Sequence, residues 1–248
     1  LSIGIVSAGR VGSALGSALR AAGHTIVGAH APSEASLDRL GAMLPGVPAL
    51  SVEEVARRAE VLLFAVPDDE LGPLVEGLAK LGCFTAGQLA IHVAGRYGVS
   101  VLEPAARAGA LTLAIHPAMT FTGTSLDVAR LVGCPFAVTA PATLLPIGQA
   151  LVTETGGTPV VVAEEDRGLY HAALAHGANH LVTLVAQSMR VLEALGVEAP
   201  GAYLAPLLQA ALDGTLSSGE SALTGPVARG DVGTVREHLA SLDALAAT

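Results

Sequence analysis

The chain has 248 residues, 51% of them hydrophobic and only 14% charged, with a formal net charge of −9. That length and composition describe a folded globular protein with core enough for one large domain or two modest ones, and they exclude a disordered chain. The acidic balance excludes a general nucleic-acid surface and gives no reason to expect attraction to an anionic membrane.

In chain order, Ile3 to Val6 reads as a short apolar strand, residues 7–12 (SAGRVG) as a turn, and Val11 to Ala22 as an Ala/Leu-rich helix ended by Gly23. Thr25 to Ala29 is a second β-prone run. Strand, glycine turn, helix and strand in this order form a unit that holds a dinucleotide. One glycine makes the tight turn, a second admits the pyrophosphate, and a third lets helix and strand pack closely. Gly9 and Gly12 fill the second and third places, while Ser7 stands in the first. The anion is expected on the unpaired N–H groups of Gly9, Arg10, Val11 and Gly12 at the helix N-terminus.

Further along come a helix over 51–59, a buried strand over 61–66, a helix over 68–81 and a strand over 89–93. A helix over 100–108, a strand over 111–115 and strands at 136–139 and 159–162 around a helix at 142–155 complete the pattern. Short apolar strands separated by helices predict a doubly wound Rossmann-like parallel sheet. From Glu164 to Ala247 the periodicity is helical, with breaks near 196–201, 214–219 and 223–231. The expected organisation is therefore an α/β domain over 1–162 followed by an all-α domain over 163–248.

Ligands of an open α/β sheet bind beyond the carboxyl ends of its strands. Four segments converge there: Ser7 to Gly12, His30 to Ser33, Val66 and Pro67 with Asp68 or Asp69 as a helix cap, and Ala94-Gly95 before Arg96. No acid follows the second strand before Glu34, which favours NADP over NAD, with His30 and Ser33 as phosphate contacts. His92 and His116 lie near strand ends; His92 reads as a buried histidine bonded to backbone, His116 equally as that or as a proton donor.

On the first helix of the second domain, His176, Asn179, His180, Thr183, Gln187 and Arg190 form a polar stripe opposite Leu174, Ala178, Leu181, Val182, Val185 and Met189. A polar stripe without Lys or Glu suits a cleft. His176 and His180 have metal-ligand spacing, yet no H-E-x-x-H and no third ligand accompany them, so no metal site is expected. A hydrolase elbow G-x-S-x-G is absent. Cys83 and Cys134 form no C-x-x-C pair, no signal-like segment precedes the first strand, and residues 169–186 carry too many polar groups to span a membrane. A soluble cytoplasmic protein is the expectation.

The motifs GIVSAGRVGSAL at 4–15, VPDDEL at 66–71, HVAGRYG at 92–98, AIHPAMTFTG at 114–123, YHAALAHGANHLVTL at 170–184 and ALTGPVARGD at 222–231 resemble a two-domain family. Its members pair a Rossmann-like NAD(P)-binding domain with an α-helical C-terminal domain of unknown function. The family looks related to ketopantoate reductase, pyrroline-5-carboxylate reductase and the β-hydroxyacid dehydrogenases. The resemblance implies hydride transfer from the nicotinamide to a small keto acid or imine. Several of those relatives place a Lys on the first helix of the second domain, with Asn four residues later. Asn179 matches that Asn and would orient substrate, whereas Ala175 stands at the Lys position and Lys80 is the sole lysine. His176 or His116 would then supply the proton, and Thr224, Gly225 and Arg229 would close over the site. The expected partners are a small-molecule substrate and a second copy of the chain joined through the helical domain. The competing expectation is a sensor or scaffold that binds NADP(H) without turnover.

Overall fold

The computed structural model describes residues 1–246. Ala247 and Thr248, the end of the expected helical region, lie outside the described residues.

Seven strands form one sheet: β1 (Ser2–Val6), β2 (Thr25–His30), β3 (Val61–Phe64), β4 (Leu89–His92), β5 (Leu111–Pro117), β6 (Pro135–Thr139) and β7 (Thr158–Val161), in spatial order β2-β1-β3-β4-β5-β6-β7. Strands β3 and β4 are buried along their whole length, which explains their unbroken apolar sequences (VLLF and LAIH). Helices α1 (Arg10–Ala21), α2 (Glu34–Met43), α3 (Val52–Arg58), α4 (Asp68–Lys80), α5 (Glu103–Arg107), α6 (Leu126–Arg130) and α7 (Leu145–Glu154) cover the two faces. The chain winds outward from β1 in both directions, so the carboxyl ends of β1 and β3 flank the point where strand order reverses.

The sheet departs from the all-parallel expectation at one place. β6 runs antiparallel to β5, from Ala114 opposite Thr139 to Pro117 opposite Phe136. The intervening chain contains only the five-residue helix α6 and does not cross back over the sheet. It folds at the carboxyl end of β5 instead, where the Ala118 N–H donates to the Pro135 carbonyl (2.9 Å). The buried Asp127 carboxylate organises this turn by accepting from the N–H groups of Thr122 and Gly123 (2.9 and 2.6 Å). Burial works to raise the Asp127 pKa, but these hydrogen bonds outweigh it and hold the group below the ordinary carboxylate range. Neither α2 nor α6 was anticipated from the pattern of the sequence.

Two compact units divide the chain, Leu1–Gly177 and Ala178–Thr248. The division falls inside a long helix, α8 (Arg167–Ala194). The second unit continues through α9 (Pro200–Ser218), α10 (Gly225–Ala228) and α11 (Val232–Ala246) and, among the described residues, contains no strand. No described helix is long and apolar enough to cross a membrane.

Close packing of α1 on β1 depends on Gly12, where a Cβ would lie 2.2 Å from the Ser7 carbonyl oxygen and 3.1 Å from Ile5 Cγ2 and Ala65 Cβ. Gly41, in the last turn of α2, has nothing within 4 Å of the same position. Gly12→Ala is therefore expected to destabilise the protein by about 3 kcal/mol, whereas Gly41→Ala stabilises it by about 0.5 kcal/mol. Paired denaturant titrations check this, and equal stability of the two variants would contradict the packing account.

Candidate functional site

The turn after β1 is built around Ser7, the one non-glycine residue with positive φ (78°) among the described residues. This is the left-handed conformation for which the fingerprint normally employs its first glycine, and a serine holds it at a cost of about 1 kcal/mol. Ala8 ties the turn to β2 by donating to the His30 carbonyl (2.7 Å). Gly9 then caps α1 with no side-chain hydrogen bond, and no acid occupies the first turn. A Cβ at Gly9 would meet only Ser7 Oγ, at 3.5 Å. The N-terminal N–H groups of α1 thus follow a glycine and carry no acid in their own first turn, a fit for a pyrophosphate.

Beside this turn a surface pocket is lined by Ser7, His30, Val66 and Leu74 together with the acids Asp69 and Glu70 from the start of α4. The structure therefore gathers Ser7, His30 and Val66 as the sequence suggested. Ser33 is employed differently: its hydroxyl accepts from the Ser36 N–H (3.2 Å) and its own N–H donates to Ser36 Oγ (2.9 Å), closing a capping box on α2. Burial lowers the His30 pKa, with Glu53 opposing, so His30 is a neutral imidazole at pH 7. Asp68 is not a cap. Pro67 takes the cap position, and Asp68, Asp69 and Glu70 place negative charge in the first turn of α4 without a side-chain cap bond.

Two arginines that sequence reasoning did not connect meet over the same turn. Arg39 on α2 lies 3.4 Å from the Ala8 carbonyl through Nη1. A Cβ on Gly123 (φ 83°) would touch Arg39 Nε at 2.8 Å and Arg10 Cγ at 2.9 Å. The loop fixed by Asp127 is thus the floor on which Arg10 and Arg39 converge.

A second cluster forms at the carboxyl ends of β4 and β5. His92 is fully buried, accepts from the Ala94 N–H at Nδ1 (3.1 Å) and donates from Nε2 to the Gly98 carbonyl (2.7 Å). Both ring nitrogens are used, and burial drives its pKa down to about 4. Glu164 pins the other end of the loop by accepting from the N–H groups of Val99 and Ser100 (2.6 and 3.0 Å). A Cβ at Gly98 would displace the Glu164 carboxylate from these two bonds. The loop so held presents Gly95, whose missing side chain leaves room for two imidazoles: a Cβ would sit 2.6 Å from His171 Cδ2 and 2.9 Å from His116 Nε2.

His116 is half-buried, and its Nδ1 lies 2.8 Å from the Tyr170 hydroxyl. Burial lowers its pKa to about 4, assisted by Arg167, His171 and His92. Arg167 is only 1% exposed. Its Nε donates to Thr139 Oγ1 (2.7 Å) and its Nη2 to the carbonyls of Ala114 and Ala137 (2.8 and 3.1 Å), while Nη1 has no partner. Tyr170, His171 and Arg167 were missed as site residues. A signal existed, since Tyr170 and His171 open the YHAALAH motif, but only the fold turns them onto β5.

His176 is exposed on α8 near the end of the first unit, and Asn179 belongs to the second. Thr224 caps the short helix α10 and Arg229 follows it, both exposed in the second unit.

Because His92 and His116 stay neutral down to about pH 4 in the fold while an unfolded histidine titrates near 6.5, the unfolded state binds more protons between those values. Stability is expected to fall as pH drops from about 6.5, before carboxylates titrate. Thermal denaturation of the wild type against His116→Asn between about pH 7 and 5.5 tests the sign; the variant should show the shallower slope, and an equal slope would refute it.

Residues 1–117 match a Rossmann-like domain, and residues 134–248 match a domain of unknown function, DUF2520. No curated protein matches the chain. Among solved structures, it is similar to a candidate NADP oxidoreductase of Bacteroides fragilis (21% identity, TM-score 0.82), covering 97% of this chain and 90% of that one. A Thermotoga maritima protein shares 22% identity at TM-score 0.70, with 95% and 87% covered. The NADP-bound pyrroline carboxylate reductase of Plasmodium falciparum shares 14% at TM-score 0.65, with 99% and 92% covered. At these identities the likeness speaks for the fold. The chain belongs to the two-domain family that joins a Rossmann-like domain to the DUF2520 domain.

Proposed function

We propose that the protein is an NADP-dependent oxidoreductase that reduces a small keto acid or imine. The observation that carries this reading is the uncapped, acid-free start of α1 behind a left-handed Ser7 turn, opening on the pocket of Ser7, His30 and Val66. Arg10, Val11 and Gly12 would bind the pyrophosphate through backbone N–H groups, and Pro67, Ala94 and Gly95 would line the path toward the nicotinamide. The bound dinucleotide would supply a hydride. The structural neighbours include NADP- and NAD-bound reductases, which supports the cofactor class.

Preference for NADP rests on Arg10 and Arg39. Neither has a carboxylate partner among the described residues, and both stand beside the turn that Ala8 ties to the end of β2, where the adenosine ribose lies in this fold. A 2′-phosphate would give them the anion they lack, through charge-assisted hydrogen bonds. Ser33, occupied in its capping box, would contribute little, and neutral His30 would serve as a hydrogen-bonding group. Arg39→Ala is expected to weaken NADPH binding about tenfold and to leave NADH binding within about twofold. Titration followed by nicotinamide fluorescence reads both, and equal losses for the two cofactors would refute the assignment. Failure of the wild type to bind either dinucleotide would refute the reading as a whole.

The alternative is NADP(H) binding without turnover. The observation in its favour is Ala175 at the position of the relatives' lysine, with Lys80 on α4 paired to Glu76 (2.7 Å). Oxidation of NADPH in the presence of ketopantoate or pyrroline-5-carboxylate would decide for the enzyme.

We also propose a homodimer formed through the helical unit. Tyr203, Leu207 and Leu216 on α9 are 70%, 67% and 78% exposed, more apolar surface than one helix of a monomer ordinarily leaves in water. Light scattering is expected to give twice the chain mass for the wild type and a single chain mass for Leu207→Glu; a monomeric wild type would refute this.

A further inference from the structure

We infer that Tyr170 is a positioning residue that fixes His116 in the Nε2–H tautomer, so that a neutral imidazole presents its N–H beside Gly95 as the donor to the substrate's electrophilic carbonyl or imine. The inference rests on the reductase reading and names the group that would serve it.

The contact between Tyr170 Oη and His116 Nδ1 is 2.8 Å, and the two rings meet edge to face at 85° with centroids 5.6 Å apart. Either atom could carry the proton, and the surroundings decide. Burial raises the Tyr170 pKa, so the phenol keeps its proton at neutral pH. That proton has no other recorded acceptor among the described residues, whereas the Nδ1 lone pair of a neutral imidazole is available. His92 does not compete, since both its nitrogens are bonded to backbone. The groups facing His116 are Arg167, Tyr170 and His171 on α8 and His92 on β4; none is a carboxylate that would favour imidazolium. With Nδ1 occupied as an acceptor, Nε2 carries the hydrogen, and it is Nε2 that lies against the Gly95 backbone.

A neutral histidine of this kind is an electrophilic hydrogen-bond donor rather than an imidazolium acid. When hydride leaves an electron pair on the substrate oxygen or nitrogen, the Nε2 proton passes to it. Nδ1 then takes the phenol proton, and the negative charge ends on the Tyr170 phenolate. That phenolate faces the buried guanidinium of Arg167, whose Cζ lies 5.9 Å from the Tyr170 ring centroid and whose Nη1 has no partner. Atoms and charge balance without any further reactant beyond the reduced nicotinamide.

The test is long-range 1H–15N correlation spectroscopy on the full chain labelled at histidine, with and without NADPH. His116 of the wild type is expected to show Nε2 protonated and Nδ1 bare, a readout that needs neither substrate nor a variant. In Tyr170→Phe the tautomers are expected to mix and the turnover number to fall about a hundredfold, with NADPH affinity within about twofold of the wild type. A wild-type His116 protonated at Nδ1, or a Tyr170→Phe spectrum identical to the wild type, would overturn the inference. Failure of the reductase reading shows as absent NADPH binding or absent NADPH oxidation in the wild type, whereas failure of the tautomer assignment shows in the histidine spectrum.

Discussion

A guanidinium sealed away from water is expensive unless its donors are used, and Arg167 makes three hydrogen bonds, to Thr139 Oγ1 and to the carbonyls of Ala114 and Ala137. The carbonyls of Ala114 and Ala137 belong to the two strands that meet antiparallel, and Thr139 ends the second of them. One side chain from the first turn of α8 therefore joins the only reversal in the sheet to the helix that follows it. The usual compensation for a buried cation is a hydrogen-bonded carboxylate, whereas Glu164 bonds Val99 and Ser100 and acts on Arg167 only through space. The charge of Arg167 consequently remains effective at short range, and it adds to burial in keeping His92 and His116 unprotonated.

The same economy of space governs the glycines of both clusters. Gly12 is there because a helix must lie against a strand, Gly98 because a carboxylate occupies its side-chain position, and Gly95 because two imidazoles do. Gly9 differs, having only one ordinary contact. Of these glycines, Gly9 is the one whose absence of a side chain the chain's own packing does not explain, which is what a surface meant for a ligand requires. Ser7 shows the converse: the backbone geometry demanded of a turn persists although the residue best suited to it is absent.

What the sequence made legible follows from local periodicity. The strands and most helices emerged within a few residues because short apolar runs and amphipathic helices announce themselves one element at a time. The β5–β6 reversal did not, because direction depends on where an irregular segment folds, and that is set by Asp127 and by the Ala118–Pro135 hydrogen bond. Helix α2 was hidden by its own cap: Ser33 follows the second strand, where a phosphate contact is expected, and a serine there looks the same in either role. Arg167 was invisible for a different reason. A charged residue at a helix start is ordinarily solvated, and nothing nearby in the sequence marks the three acceptors that bury it. The histidines were noticed, but the partner that gives His116 a definite tautomer lies 54 positions away.

A lysine in a reductive site brings two properties at once, a positive charge and a transferable proton. Here Ala175 brings neither, and the two properties are divided between other groups. Arg167 carries the charge but holds its protons too firmly to give one away at neutral pH. His116, through Tyr170, carries a proton that can be given, but no charge. Dividing them has a physical consequence. An ammonium that donates its proton loses its field in the same step, whereas a fixed guanidinium still faces the phenolate after the proton has moved. On the proposed reductase reading, alanine in place of lysine removes one way to stabilise a developing anion, and the Arg167–Tyr170–His116 arrangement would supply a different one from residues that all lie within the first compact unit.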